Sequence, residues 1–537
     1  MTKIIINGQI YLKRECFCEA LIINNGRIVK TGSNRELLDE MPAGAEKIDA
    51  QGALVLPAFY DSHLHLIWVG RRENGIEAAG AESIEEVINR GREFIARFKP
   101  PPLTYIQGAG VNPDLFNKGE KRDLCRDDLD KISTEYPLIL SRHCGHTIYC
   151  NSMALKLAGL SESAPEIAGG SIEKDERAKP TGVFREQANA LVRKPMPPTS
   201  PDDIKRYLLS AMKKAHSLGI SSCGSYDSGG PDFETVLGVY QEIYDESKIV
   251  AKPRLRVTMQ CGISTREDML DAYLKRKIYL TPLWEDPLWG CFLKMGSIKL
   301  FIDGTLGGHT AWMRQPYRDK PDNLGIQLLD LETLKRFVKK ATAAGMQVLI
   351  HAIGDAGINA VLEAFESVIR EGENPLRHGI IHCQITSKDL LERIAKNKIL
   401  ALVQPIFFAD DMHILENRVG KELASTSYAW GSMHKLGIPV SFSTDAPVSP
   451  LDPLLCIQWA VQRGYNENVD TYDAFDAYSS LSAFSNHDES SLGRIAPGYL
   501  ADLVFLERNI FNIPPESIHK AQVLRTICAG ETVYNRE

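Results

Sequence analysis

The chain has 537 residues, 62 Lys and Arg against 69 Asp and Glu for a formal charge of −7, and 44% hydrophobic residues. That length exceeds one ordinary core and calls for a large domain with one or two smaller attachments. Both signs of charge are interspersed, so there is no basic stripe for nucleic acid, and no apolar run reaches the roughly 20 residues that span a bilayer.

The start, Met1-Thr-Lys-Ile-Ile-Ile, lacks a basic region followed by a long apolar stretch and a cleavage site, which makes a cytoplasmic location the expectation. The 11 cysteines are scattered and form no C-x-x-C pair, so reduced thiols are expected rather than a disulfide framework or zinc finger. There is no P-loop, no G-x-G-x-x-G after a strand and no G-x-S-x-G elbow. The chemistry has to come from other residues.

In chain order, Ile4-Ile-Ile-Asn-Gly and Ala20-Leu-Ile-Ile-Asn-Asn-Gly-Arg-Ile-Val read as short strands with hairpin turns, as do Ala501-Asp-Leu-Val-Phe-Leu and the segment from Val523 to Tyr534 at the other end. Residues 1–54 and 496–537 are therefore expected to build one small β-sandwich domain from both termini, with 55–495 inserted between its halves. Leu54 to Tyr60 is the first strand of that middle part. The stretch 67–200 is too long for a loop and holds its own strands, Thr104 to Gln107 and Pro137 to Leu140, so it is expected to be an inserted α/β subdomain that covers the mouth of the site.

Further strands follow at Ser221 to Tyr226, Leu255 to Met259, Ser297 to Ile302, Met346 to Ile350, Gly379 to Ile381, Ile399 to Val403 and Pro439 to Ser443, giving eight with the first. Helical spacing separates the later ones: Leu331, Leu334, Phe337, Val338 and Ala341 after a capping Asp330, then Ile358, Val361, Leu362, Phe365 and Ile369, then Leu390 to Ile394. Apolar strands alternating with helices predict a parallel sheet. His351, His382, Gln404 and Asp445 each end a different strand, which a closed (β/α)8 barrel brings to one face and an open sheet does not.

In Asp61-Ser-His63-Leu-His65, two residues of separation on an extended chain put both imidazoles on one side, where they can share an ion. His-x-His alone is a weak signal. Joined by His351, His382 and Asp445 at the ends of apolar strands it is a strong one, because a structural residue there is usually another Val or Leu. Lys299, in the middle of an apolar strand, is costly to bury as ammonium, and burial moves it toward the neutral amine. The structural alternative is an ion pair with Asp303 or another carboxylate.

The motifs Leu56-Pro-Ala-Phe-Tyr-Asp-Ser-His-Leu-His, Ile298-Lys-Leu-Phe-Ile-Asp-Gly-Thr-Leu-Gly, His351-Ala-Ile-Gly-Asp, Arg377-His-Gly-Ile-Ile-His-Cys-Gln, Ser443-Thr-Asp-Ala-Pro-Val and Gly493-Arg-Ile-Ala-Pro-Gly-Tyr-Leu-Ala-Asp-Leu-Val span nearly the whole chain. On them the sequence resembles the amidohydrolase superfamily, in its family 3 branch with N-substituted formamide deformylase-like proteins. Ala58 stands where that family usually has Gly, and Ile381 where an acid commonly precedes the histidine.

The resemblance implies a TIM barrel and a divalent metal site, zinc by its donor types, with one or two ions per chain. His63, His65 and Asp445 would hold one ion, and His351 and His382 a second, bridged by a carboxylated Lys299. Metal-activated water would attack a carbonyl-like carbon of a small amide or N-formyl substrate, and Asp445 would take its proton as general base. His143, His146 and His309 are candidates for orienting substrate, whereas His216, His413, His434, His487 and His519 lack such context. A homodimer is compatible with this reading. The rivals are a one-metal deaminase of an amidine-like substrate, which has no use for a bridging Lys299, an ester or lactone hydrolase, and a barrel that has lost activity. The motifs do not specify the substrate or the metal.

Overall fold

The computed structural model describes residues 2–142, 146–167, 169–227, 233–249, 252–263 and 265–536. Eight strands run parallel in simple succession: β1 Phe59–Leu64, β2 Ile220–Ser225, β3 Arg256–Gly262, β4 Gly290–Phe301, β5 Val348–Ala352, β6 Gly379–His382, β7 Leu400–Val403 and β8 Val440–Phe442. All eight are almost wholly buried, which is why they read as apolar runs rather than as alternating ones. Helices between them cover the outside. In one, Leu331–Ala343, Asp330 caps the start by accepting the Thr333 amide at 2.9 Å, and Gly345 at φ +75° turns the chain away after its end.

β8 returns beside β1 without a regular ladder. The seam is made by single bonds: the Ser62 hydroxyl to Phe442 O at 2.9 Å, the Asp445 amide to His63 O at 3.0 Å and the His65 amide to Ala446 O at 2.8 Å. The result is a nearly closed eight-stranded barrel.

The expected first strand, Leu54 to Tyr60, is two strands in two sheets. Leu54–Pro57 pairs antiparallel with Leu503–Leu506, and Phe59–Leu64 opens the barrel. The partner changes between consecutive residues, because the Ala58 amide donates to Asp502 O and the Phe59 amide to Gly219 O. Both halves are apolar, so periodicity gave no sign of the break. Leu54–Pro57 belongs to a six-stranded sheet with Gln9–Lys13, Cys16–Cys18, Leu503–Leu506, Val523–Cys528 and Glu531–Asn535, and a four-stranded sheet holds Thr2–Ile6, Ala20–Asn24, Arg27–Gly32 and Glu46–Asp49. Ile5, Ile23, Ile28, Val55, Leu503 and Phe505 share one core, so both ends of the chain contribute to it.

Residues 1–66 and 211–537 form one compact unit and 67–210 a second. The second unit has a six-stranded sheet, Ile76–Glu77, Ile106–Val111, Leu138–Arg142, Thr147–Cys150, Pro180–Glu186 and Gly170–Lys174, and a helix Ile84–Phe98 that starts on the Ser83 hydroxyl. Its core is built on Val87, Ile88, Ile106, Leu129, Leu138 and Leu140. Among the described residues no helix is long and apolar enough to cross a membrane.

Candidate metal centre

Four of the barrel strands deliver a polar residue near the point where the apolar run stops. His63 lies in β1 with His65 one residue past its end, His351 is the penultimate residue of β5, His382 ends β6, and Asp445 follows β8 by three residues. Asp445 and His382 sit at φ +54° and +77°, a region costly for residues with a Cβ that is held only where surrounding bonds over-determine it.

The structure brings His63, His65 and Asp445 together, with one ligand atom from each inside a 4.8 Å span and all three residues buried. Asp445 Oδ1 is 3.3 Å from His63 Nε2 and 3.0 Å from His65 Nε2, yet no donor is aligned on it as a hydrogen bond. Two imidazole nitrogens and a carboxylate oxygen that converge in a buried space fit a cation shared between them. Around this group stand His382, whose ring centroid is 6.2 Å from that of His63, and His351, 4.4 Å from His382.

The electrostatics agree. Burial alone raises the Asp445 carboxyl, but His63 and His65 beside it hold it well below the usual carboxylate range, so it is ionised. Burial, reinforced by Lys299, brings His63 down to about 4, and burial with His351 nearby takes His382 well below its ordinary value. Both rings are neutral, the form that donates a lone pair to a metal.

Lys299 is fully buried in β4, and its Nζ has no hydrogen-bond partner. It sits 4.7 Å from the centre of the Phe301 ring, and burial lowers it to about 7 against the opposing pull of Asp445. The ion pair with Asp303 is not formed. Asp303 instead accepts the amides of Trp312, Ile353 and Gly354 at 3.0, 3.0 and 2.7 Å, and its Oδ1 lies 3.4 Å from His351 Nε2.

Of the other three candidates, two are among the described residues. His309 Nε2 is held 2.9 Å from Asp319 Oδ2, with the ring edge-on to Tyr317. His146, in the 67–210 unit, is exposed and 3.1 Å from Glu186. His143 falls outside the described residues.

Several residues around the cluster escaped sequence reasoning. Gln260 Oε1 lies 2.5 Å from His63 Nδ1, Gln404 Oε1 lies 2.7 Å from His382 Nδ1, and the Tyr226 carbonyl lies 3.1 Å from His65 Nδ1. The sequence marks Gln404 as a strand end but assigns it no role. Gln260, a polar residue inside the apolar β3, carried the same kind of signal as Lys299. Tyr226, Phe301 and Phe407 pack their rings on His65, His351 and His382 at 5.3, 5.3 and 5.7 Å, and as each is partly exposed they wall the site with aromatic surface.

Comparison with known proteins gives the family. The model of the amidohydrolase family matches residues 46–534. The YtcJ protein of Bacillus subtilis (strain 168) is 32% identical over 96% of this chain and 96% of its own length, and the N-substituted formamide deformylase of Arthrobacter pascens is 24% identical over 97% and 96%. The crystal structure of a metal-dependent hydrolase from Pyrococcus furiosus superposes with a TM-score of 0.76 at 30% identity, covering 95% of this chain and all of that one. With its strand-end histidines, its ionised aspartate and this family match, the chain belongs to the amidohydrolase family and is a metal-dependent hydrolase of carbon–nitrogen bonds.

Proposed function

We propose that the protein hydrolyses an amide or N-formyl bond in a small molecule, with His63, His65 and Asp445 holding one divalent ion and His351 and His382 serving a second, bridged through a carboxylated Lys299. The observation that carries this reading is the convergence of three buried ligand residues, with His63 Nε2 and His65 Nε2 at 3.3 and 3.0 Å from Asp445 Oδ1. Imidazole and carboxylate donors suit zinc. A divalent ion bound there supplies an acidified water and an electrophile for the substrate carbonyl.

The chain's own residues account for the rest. Asp445, held ionised, accepts a proton from the attacking water and returns it to the leaving nitrogen. Neutral His63 and His382 keep lone pairs available for metal at neutral pH. Lys299, lowered to about 7 by burial and with no hydrogen-bond partner, has an unprotonated amine available to carbon dioxide. This last point favours the bridged centre over a one-metal deaminase. Tyr226, Phe301 and Phe407 offer apolar contact to the substituent beside the scissile bond.

The test is metal per chain in wild type and Lys299→Ala, paired with turnover of a panel of amides and N-formyl amines. Two ions falling to one or fewer, with amide turnover, supports the reading. One ion in both proteins sinks the bridge and favours the deaminase. No ion in either after loading removes the enzymatic reading.

A further inference from the structure

Every histidine of the cluster has one ring nitrogen tied to a carbonyl-type oxygen. His65 Nδ1 meets the Tyr226 backbone at 3.1 Å and His351 Nε2 meets the Gly304 backbone at 3.0 Å. His63 and His382 instead depend on side chains, those of Gln260 and Gln404. An amide oxygen only accepts, so the ring nitrogen facing it must carry the proton and the opposite nitrogen the lone pair.

Neither glutamine can turn its amide around without placing oxygen against oxygen. Gln260 Nε2 donates to Ser62 O at 3.0 Å, and Gln404 Nε2 donates to Leu402 O at 3.1 Å and to the Ser443 hydroxyl at 2.7 Å, which itself points toward Val403 O. Both glutamines are buried, at 1% and 3% exposure, so no water competes for these bonds.

Gln260 also has to reach past a strand. It stands on β3, and His63 lies on β1, with β2 between them. The crossing is made over Gly224 of β2, where an added Cβ would fall 2.7 Å from Gln260 Nε2 and 2.4 Å from Ser62 O. Any side chain at position 224 would displace the amide.

We propose that Gln260 and Gln404 are positioning residues of the metal centre: they fix the Nδ1-protonated tautomers of His63 and His382, so that both rings present Nε2, and Gly224 is the opening that lets Gln260 do so. The inference rests on His63 and His382 being metal ligands. Losing such a partner of a ligating histidine typically weakens metal binding about 10–100-fold.

The test measures Zn²⁺ affinity by competition with a chromophoric chelator for wild type, Gln260→Leu, Gln404→Leu, Gln260→Glu, Gly224→Ala and His63→Ala, with ring-¹⁵N spectra of the metal-free proteins. The leucine variants are expected to bind about 10-fold or more weakly and to lose the single Nδ1–H tautomer at the affected ring. Gln260→Glu keeps an acceptor toward His63 but sets its second oxygen against Ser62 O, so it should retain the Nδ1–H tautomer at His63 that Gln260→Leu loses while recovering only part of the affinity. Gly224→Ala should reproduce Gln260→Leu with the glutamine still present, and combining the two should add nothing further. If Gly224→Ala does not fold, the two leucine variants and the glutamate rescue decide the matter. Affinity and tautomer unchanged in the leucine variants, with metal lost in His63→Ala, overturns the positioning role and leaves the ligand reading intact. Metal retained in His63→Ala overturns both.

Discussion

Asp61 Oδ2 accepts the Thr444 hydroxyl at 2.7 Å and the Thr444 amide at 3.1 Å, tying the first barrel strand to the turn that carries Asp445 after the last. The Asp61 carboxylate also accepts the His63 amide at 3.2 Å and the Tyr478 hydroxyl at 3.3 Å. One buried carboxylate thus fastens the barrel seam and registers His63 against Asp445. Burial lifts Asp61 to about 7 even against the bonds from Thr444 and His63.

Replacing Asp61 by Ala leaves the Thr444 donors buried without an acceptor. The expected loss is about 3 kcal/mol of stability, measured by urea unfolding of the metal-free protein, together with weaker metal binding. A fall in stability alone, with metal affinity kept, would show that the seam does not register the site.

Arg256 and Asp502 form a two-pronged buried pair at 2.8 and 3.1 Å that joins β3 to the sheet built from both chain ends. Arg256 Nη1 also donates to Trp289 O and Cys291 O, and Asp502 accepts the Ala529 amide, so removing one partner strands the rest. Asp502→Ala is expected to cost about 3–5 kcal/mol. The check is the urea midpoint, and a change below 1 kcal/mol by the same principle would refute this role.

Burial takes His216 down to about 3 and His378 and His487 to about 4, from an ordinary 6.5, so all three are neutral in the fold. Their folded values lie below the unfolded one, and protons therefore bind the unfolded chain first. Stability should be full above pH 6.5 and decline as pH falls toward 4. His216 Nε2 is buried without a partner, so His216→Leu should flatten this decline. Urea midpoints at intervals across that range test it, and a slope identical to wild type would count against it.

A metal bound only by the folded chain adds stability by mass action, about 2.7 kcal/mol when free metal is 100 times its dissociation constant. Dialysis against a chelator should lower the Tm and abolish hydrolysis, with both restored by Zn²⁺. An unchanged Tm would mean that the ion, if bound, is held too weakly to be a resident of the site.

The strand-end histidines and Asp445 were legible because burial makes a polar residue at the end of an apolar run anomalous, whichever strand carries it. The same anomaly marked Lys299 and went unread at Gln260, since an amide inside a strand carries no reactivity of its own to draw notice. At His309, a candidate for orienting substrate from its place after Gly307-Gly, the structure adds a partner: Asp319, ten residues on, lies 2.9 Å from its ring. Sequence spacing could not reveal that bond, because the loop between the two residues has no period.

By itself the sequence determined the alternation of strands and helices, the parallel sheet and the residue types of the site, because burial of both strand faces and helical spacing are local patterns. Tertiary structure alone decided which atoms meet. The break at Ala58, the seam through Asp61 and Thr444, the passage of Gln260 over Gly224 and the choice of ring nitrogen at each histidine all depend on contacts between strands far apart in the chain. Such contacts follow from barrel closure and register, which no window of sequence contains.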